Sequence, residues 1–315
     1  MSARRLSLND AHTGALPLVA MFAAVTTWGL GSILIKKMSV DGLTVSFYRL
    51  WLGSALTVAV LVVARHRPTM REFALSAPAG AIFGVNMVLG FTALKITTVA
   101  DATLIGALQP ALVLLVAGAW FGEKVGAREI GWTAVSIAGI GILIAGASSS
   151  PEWSPLGDGL ALLSVFLFTG YFLASKRIRT SVATVAYMAG VQISAAIVVT
   201  PVVLVHGLQV SAMTNADWLR ITTMVFTGGV GAHMLVNWAH PYVKVSVSSV
   251  IVLLSPVVAS IAAWVVLDES LSGIQLVGGA ITLVAIVAFT RTHRGGEEGT
   301  LIPMAELPEP TIAGG

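Results

Sequence analysis

Apolar residues run through the 315-residue chain in blocks of about twenty, separated by short clusters of Arg, Lys, Pro, Gly and Ser. A block of that length crosses about 30 Å of hydrocarbon as an α-helix. The blocks are continuously apolar instead of alternating every second residue, which predicts helices and excludes barrel strands. Ten spans result, near 15–35, 44–64, 73–94, 98–120, 129–147, 157–175, 183–205, 218–239, 243–266 and 272–290. The first run is too long for the core of a signal peptide, and further spans follow, so it is expected to remain as a helix. Residues 291–315 mix charge, Pro and Gly without periodicity and are expected to form a disordered cytoplasmic tail.

The spans repeat. With Pro110 set against Pro256, an offset of 146, residues 99–123 and 245–269 align without a gap, from Val99 and Val245 to Glu123 and Glu269. Ala93 then matches Ala239 upstream, and Gly131 matches Gly278 after a slip of one residue. This divides the chain into a first half at 1–147, a Ser/Pro-rich linker at 148–156, a second half at 157–290 and the tail at 291–315. Five spans per half is an odd number, so the second half enters the bilayer from the opposite side. The expected fold is an all-α integral membrane protein of ten transmembrane helices in two inverted five-helix repeats.

Composition agrees with this reading. Charged residues make up 10% of the chain and the mean hydropathy is +0.88, against about a quarter charged in soluble domains. The net charge of +3 does not indicate nucleic acid, because the basic residues sit in short groups at span ends. With a cytoplasmic N-terminus, 13 Lys and Arg fall on the inside and 4 on the outside, with Arg49 within a span. That bias places both termini in the cytoplasm, the membrane being the bacterial cytoplasmic (inner) one. The absence of cysteine excludes disulfides, iron-sulfur clusters and thiolate zinc sites. The six His show no ligand spacing, so no metal and no cofactor is expected.

Polar groups inside spans are costly and need a partner or a wet cavity. Arg49 and Asp101 lie at similar depths below the outer end of their spans and are expected to pair, either as a fixed salt bridge or as a gate near the outer mouth. Near mid-span lie Trp28, Asn86, Gln109, Tyr171, Gln192, His233 and Ser255, from seven different helices, which a central polar cavity would gather. Gln109 and Ser255 immediately precede Pro110 and Pro256. A mid-helix Pro leaves the carbonyl four residues back without its donor, here Gly106 and Val252, and near a cavity such carbonyls bind polar substrates. His233 is the candidate for coupling to protons. Glu123 and Glu269 read as caps of the helices that follow them.

These features define a carrier for a small polar or amphipathic metabolite, with membrane lipid as its surroundings and a proton or other ion as candidate coupling partner. The oligomeric state is left open. A passive channel is the alternative. No GxxxxGK[ST], HExxH or GxSxG sequence is present, which argues against ATP binding by a P-loop and against an intramembrane enzyme.

Thr27-Trp28-Gly29 in the first span, Arg49 in the second and the duplicated Pro110…Glu123 and Pro256…Glu269 pattern resemble the EamA family of the drug/metabolite transporter superfamily. The resemblance covers roughly residues 15–290. It implies two inverted halves around a central cavity, and export or exchange of amino acids, their derivatives or toxic compounds by alternating access. The second half departs from the pattern, since Trp28-Gly29 has Thr169-Gly170 as its nearest counterpart.

Overall fold

A computed structural model describes residues 15–97, 99–146, 154–267 and 272–294. Among these residues, ten helical spans are long and apolar enough to cross a membrane. The first three are Leu16–Lys36, Gly42–Val63 and Met70–Ile96. The fourth is built of Val99–Gly106 and Gln109–Phe121, and the fifth is Ala127–Ala145. The second half follows with Pro155–Ile178, Thr184–His206 and an eighth span from Asn215 to Ala239. The ninth is built of Val245–Ile251 and Leu254–Leu267, and the tenth is Gly273–Arg294. The tenth helix runs on through Arg294, four residues into the expected tail, and the rest of the tail and most of the linker lie outside the described residues.

Two starts fall three residues ahead of the hydropathic boundary, and both have the same cause. Thr69 and Glu72 form a capping box that starts the third span at Met70, and Thr214 and Asp217 form another that starts the eighth at Asn215. Each satisfies backbone donors that the first turn would otherwise leave open. Asp41 caps the second span by accepting from the Thr44 amide at 2.7 Å. Gly122, at φ 65°, closes the fourth span in the left-handed region, where a side chain would be strained.

The helices sort into two walls. Spans one, eight and nine pack together, as do spans three, four and six, while spans two and seven lie against each other and spans five and ten form a separate pair. These contacts exchange when each span is replaced by its counterpart in the other half: three against six becomes eight against one, and three against seven becomes eight against two. The five–ten seam needs glycine. A Cβ on Gly278 would lie 2.3 Å from the Leu143 amide nitrogen and 2.7 Å from the Gly139 carbonyl oxygen, so the two backbones touch directly.

The fourth and ninth spans break within one residue of equivalent places, at Ala107–Leu108 and Val252–Leu253, just ahead of the matched prolines. The chain tightens there into short-range bonds: Ala107 donates to Leu104 and Leu108 to Ile105, and Val252 donates to Ser249 and Leu253 to Val250. One expectation is corrected by this tightening. The Val252 carbonyl is not open, because the Ser255 amide turns back to it at 3.0 Å. The eighth span carries a third irregularity, a π-helical turn at Val225–Gly229, of a kind often found at functional sites.

Candidate functional site

Between the two walls lie two adjoining chambers that share part of their lining. The larger, about 290 Å³, is lined from spans three, four, six and nine by residues including Asn86, Gly106, Gln109, Ser164, Ser255 and Pro256. The smaller, about 190 Å³, takes Trp28, Gly31, Arg49, Gly228 and His233 from spans one, two and eight. Ser32, Met87, Phe91, Leu94 and Phe168 face both chambers. Of the mid-span candidates, Trp28, Asn86, Gln109, His233, Ser255 and Pro256 therefore come together, and Arg49 joins them.

Three candidates are placed elsewhere. Pro110 is buried behind the break in the fourth span. Gln192 packs in the seam between spans two and seven, its amide about 3.2 Å from where a Cβ of Gly53 would lie. Tyr171 sits beneath the small chamber, with its hydroxyl 3.5 Å from His233 Nδ1. The Asp101 side chain lies outside the described residues, and with it the expected pairing with Arg49. Glu269 also lies outside them.

Arg49 is the one charged side chain among the described residues that line either chamber. It is 4% exposed. Its guanidinium carbon lies 5.8 Å from the centre of the Phe83 ring and 5.6 Å from that of Phe91, close enough for a cation–π contact. Its described hydrogen bond runs from Nη1 to the Met87 Sδ at 2.9 Å, and its Nε has no partner in the structure. A thioether is a weak acceptor, so most of the guanidinium's capacity for an oxyanion is unused.

Below Arg49 the rings pack into a floor. His233 lies 4.9 Å, centroid to centroid, from both Trp28 and Phe83, and Phe168 stands edge-on to Trp28 at 5.9 Å. Trp28 is held in place by donating from Nε1 to the Gly228 carbonyl at 2.9 Å, inside the π-helical turn. In the larger chamber, both ends of the buried Gln109 amide lack partners in the structure. Asn86 donates to the carbonyl and to the hydroxyl of Ser164, each at 2.8 Å, which leaves its own carbonyl oxygen as an acceptor.

The cavity lies in the half of the bundle that leads to the face bearing Lys36. Toward the opposite face, which bears Lys176, the interior is filled. Ser175 and Tyr187 share a hydrogen bond at 2.6 Å, Asn237 donates to the Tyr171 hydroxyl at 3.2 Å, and Arg179 Nε donates to the Asn237 carbonyl at 2.8 Å. His240 stands edge-on to Phe172 at 4.7 Å. Burial, with Lys176 and Arg179 close by, holds its imidazole well below the ordinary range and so neutral.

Glu123 was expected to cap the helix after it, and the structure corrects this. The fifth span is started by Glu129, which accepts from the Gly126 amide at 2.9 Å. Glu123 instead reaches into the other half, accepting from the amides of Val245 and Ser246 at 2.6 and 3.1 Å and from the Ser246 hydroxyl at 2.6 Å. It caps the ninth span. Charge and spacing mark a carboxylate as a cap, but not which helix the fold brings to it.

Phe83, Phe91 and Phe168 bear no mark of the site in the sequence. Aromatic residues in an apolar helix carry no signal of their own until a cation is placed beside them.

Two like halves of five spans around a largely apolar cavity, with a buried cation and a few amide and hydroxyl groups on its wall, have the architecture of a membrane transporter. The chain belongs to the EamA-like transporter family, whose model matches it twice, at residues 15–145 and 155–291. It is similar to a protein of Streptantibioticus cattleyicolor described as "Probable terminal-alkyne amino-acid exporter", with 26% identity over 290 residues, 88% of this chain and 94% of that protein. A protein known from a crystal structure has the same fold, with a TM-score of 0.73 at 19% identity, covering 89% of this chain and 98% of the other.

Proposed function

We propose that this protein is a secondary transporter that exports an amino acid or a close derivative across the bacterial cytoplasmic membrane by alternating access. The observation that carries this reading is the buried guanidinium of Arg49 on the cavity wall. An Arg inside a bilayer is costly, and a planar fork of donors is the group best suited to a carboxylate. A substrate spanning both chambers sets its carboxylate against Arg49 and its side chain on the rings of Trp28, Phe168 and His233. Its amino group meets the neutral acceptors of Asn86 and Gln109. The name of the Streptantibioticus relative points to the same substrate class.

The span parity and the exchange of contacts between halves support an inverted repeat. The bias of Lys and Arg supports cytoplasmic termini and, with them, an external Lys36 face. His233 remains the candidate for proton coupling.

Counterflow in proteoliposomes tests the reading. Saturable exchange of radiolabelled aliphatic or unsaturated α-amino acids is expected, with competition from other α-amino acids and none from the matching amines without a carboxylate. Non-saturating flux would overturn the carrier, and equal competition by the amines would overturn the role of Arg49.

Gly31 sets the size of the substrate side chain. It is buried, yet a Cβ there meets nothing within 4 Å, because it opens onto the Arg49 chamber. Gly31→Val is expected to weaken competition by the bulkiest substrates about tenfold or more, with small substrates and the thermal midpoint little changed.

A further inference from the structure

Lys36 ends the first span and Lys176 lies in the last turn of the sixth, the opening span of each half. Lys36 Nζ donates to the carbonyls of Leu94 and Thr97, both at 3.0 Å. Lys176 Nζ donates to the carbonyls of His240, at 2.6 Å, and Val243. His240 and Val243 are offset by 146 from Leu94 and Thr97, the same offset that aligns Pro110 with Pro256. The two lysines therefore make one interaction twice, on opposite faces. Each satisfies carbonyls that a helix leaves open at its C-terminus, where the helix dipole favours a cation.

Both bonds cross between the walls of the cavity. Lys36 ties the first span, in the wall of spans one, eight and nine, to the end of the third. Lys176 ties the sixth span, in the wall of spans three, four and six, to the end of the eighth. The walls cannot separate at either face while that face's lysine is bound. The settings differ: Lys36 is exposed, with Lys95 donating back to the Met38 carbonyl beside it, whereas Lys176 is half-buried near Glu123.

We propose that Lys36 and Lys176 are the paired latches of the two gates, so that release of one opens the cavity to its own face while the other stays closed. The proposal rests on the alternating-access reading above. It extends to a ranking: the solvated Lys36 latch opens more readily than the half-buried Lys176 latch.

The absence of cysteine from the chain makes the test direct. Ser32, which faces both chambers, is replaced by Cys as a reporter in oriented proteoliposomes. A membrane-impermeant maleimide is then applied from either side. Lys36→Met is expected to raise the ratio of labelling from the Lys36 face to labelling from the Lys176 face. Lys176→Met is expected to lower it, each by on the order of tenfold, as for loss of charged hydrogen bonds. Lys→Arg at either position should restore the original ratio. Lys36→Met/Lys95→Met provides a stronger form at the surface, should Lys176→Met fail to fold, and thermal melting checks every variant. Ratios that move in the same direction, or not at all in folded variants, overturn the latches. Counterflow by the unmodified protein is read separately: its absence, with opposite shifts in labelling intact, removes the transport reading and leaves the latches standing.

Discussion

Neutralising Arg49 is expected to abolish saturable counterflow while leaving the protein folded in the membrane. Losing a desolvated charge pair between carrier and substrate costs about 2–5 kcal/mol, which corresponds to a fall in apparent affinity of roughly thirtyfold to several thousandfold. Arg49→Gln and Arg49→Met should both show it. Arg49→Lys should recover only part, because an ammonium replaces a planar fork with a point charge. The thermal midpoint separates this role from a structural one. A guanidinium kept for the substrate, against Phe83, Phe91 and a methionine sulfur, is expensive to hold in the empty protein, so its removal should leave the midpoint unchanged or raise it. Were Arg49 instead locked in a fixed pair with Asp101, neutralising it would strand a carboxylate and lower the midpoint, and Asp101→Asn would restore it.

The second large effect is expected at Gly29. A Cβ there would lie 2.6 Å from the Ser255 carbonyl oxygen and 2.9 Å from Val258 Cβ. The first contact is with backbone at the break of the ninth span, where no rotamer change relieves the clash. Gly29→Ala forces the first and ninth spans apart and turns Trp28 off the Gly228 carbonyl. Overpacking of this kind costs about 1–3 kcal/mol, and both the thermal midpoint in detergent and the counterflow rate should fall. Its counterpart in the sixth span, Gly170, meets nothing within 4 Å of a Cβ. Gly170→Ala should be tolerated, and equal damage at the two sites would show that the close approach does not matter.

Spans are legible in this sequence because apolar length is a property of each segment alone. The breaks in the fourth and ninth spans were announced by Pro110 and Pro256, since the missing amide acts within one turn. What the sequence did not show depends on which segments become neighbours. Gln192 is as polar and as central as Gln109, yet one packs against Gly53 and the other faces the cavity. Glu123 carries the character of a cap, but its helix lies 122 residues further on. Lys36 and Lys176 read as ordinary boundary charges. Only the carbonyls they reach, set apart by the repeat offset, reveal them as a pair. Likewise nothing local in the Gly-rich stretch of the eighth span marks it as a π-helical turn whose Gly228 carbonyl accepts from Trp28.

The halves share their latches but not their charge. Lys36 and Lys176 stand 140 residues apart and the carbonyls they bind 146 apart, so a counterpart of Arg49 would fall between Ala189 and Ala195. That stretch reads AGVQISA, without a basic residue. Two identical subunits could not be built this way, because a cation on one would face its own image across the axis. Joining the copies in a single polypeptide lets one keep a buried cation while the other gives it up. On the proposed amino-acid reading, a lone carboxylate then has one orientation to adopt, and the cargo has a head and a tail that a symmetric dimer would not distinguish.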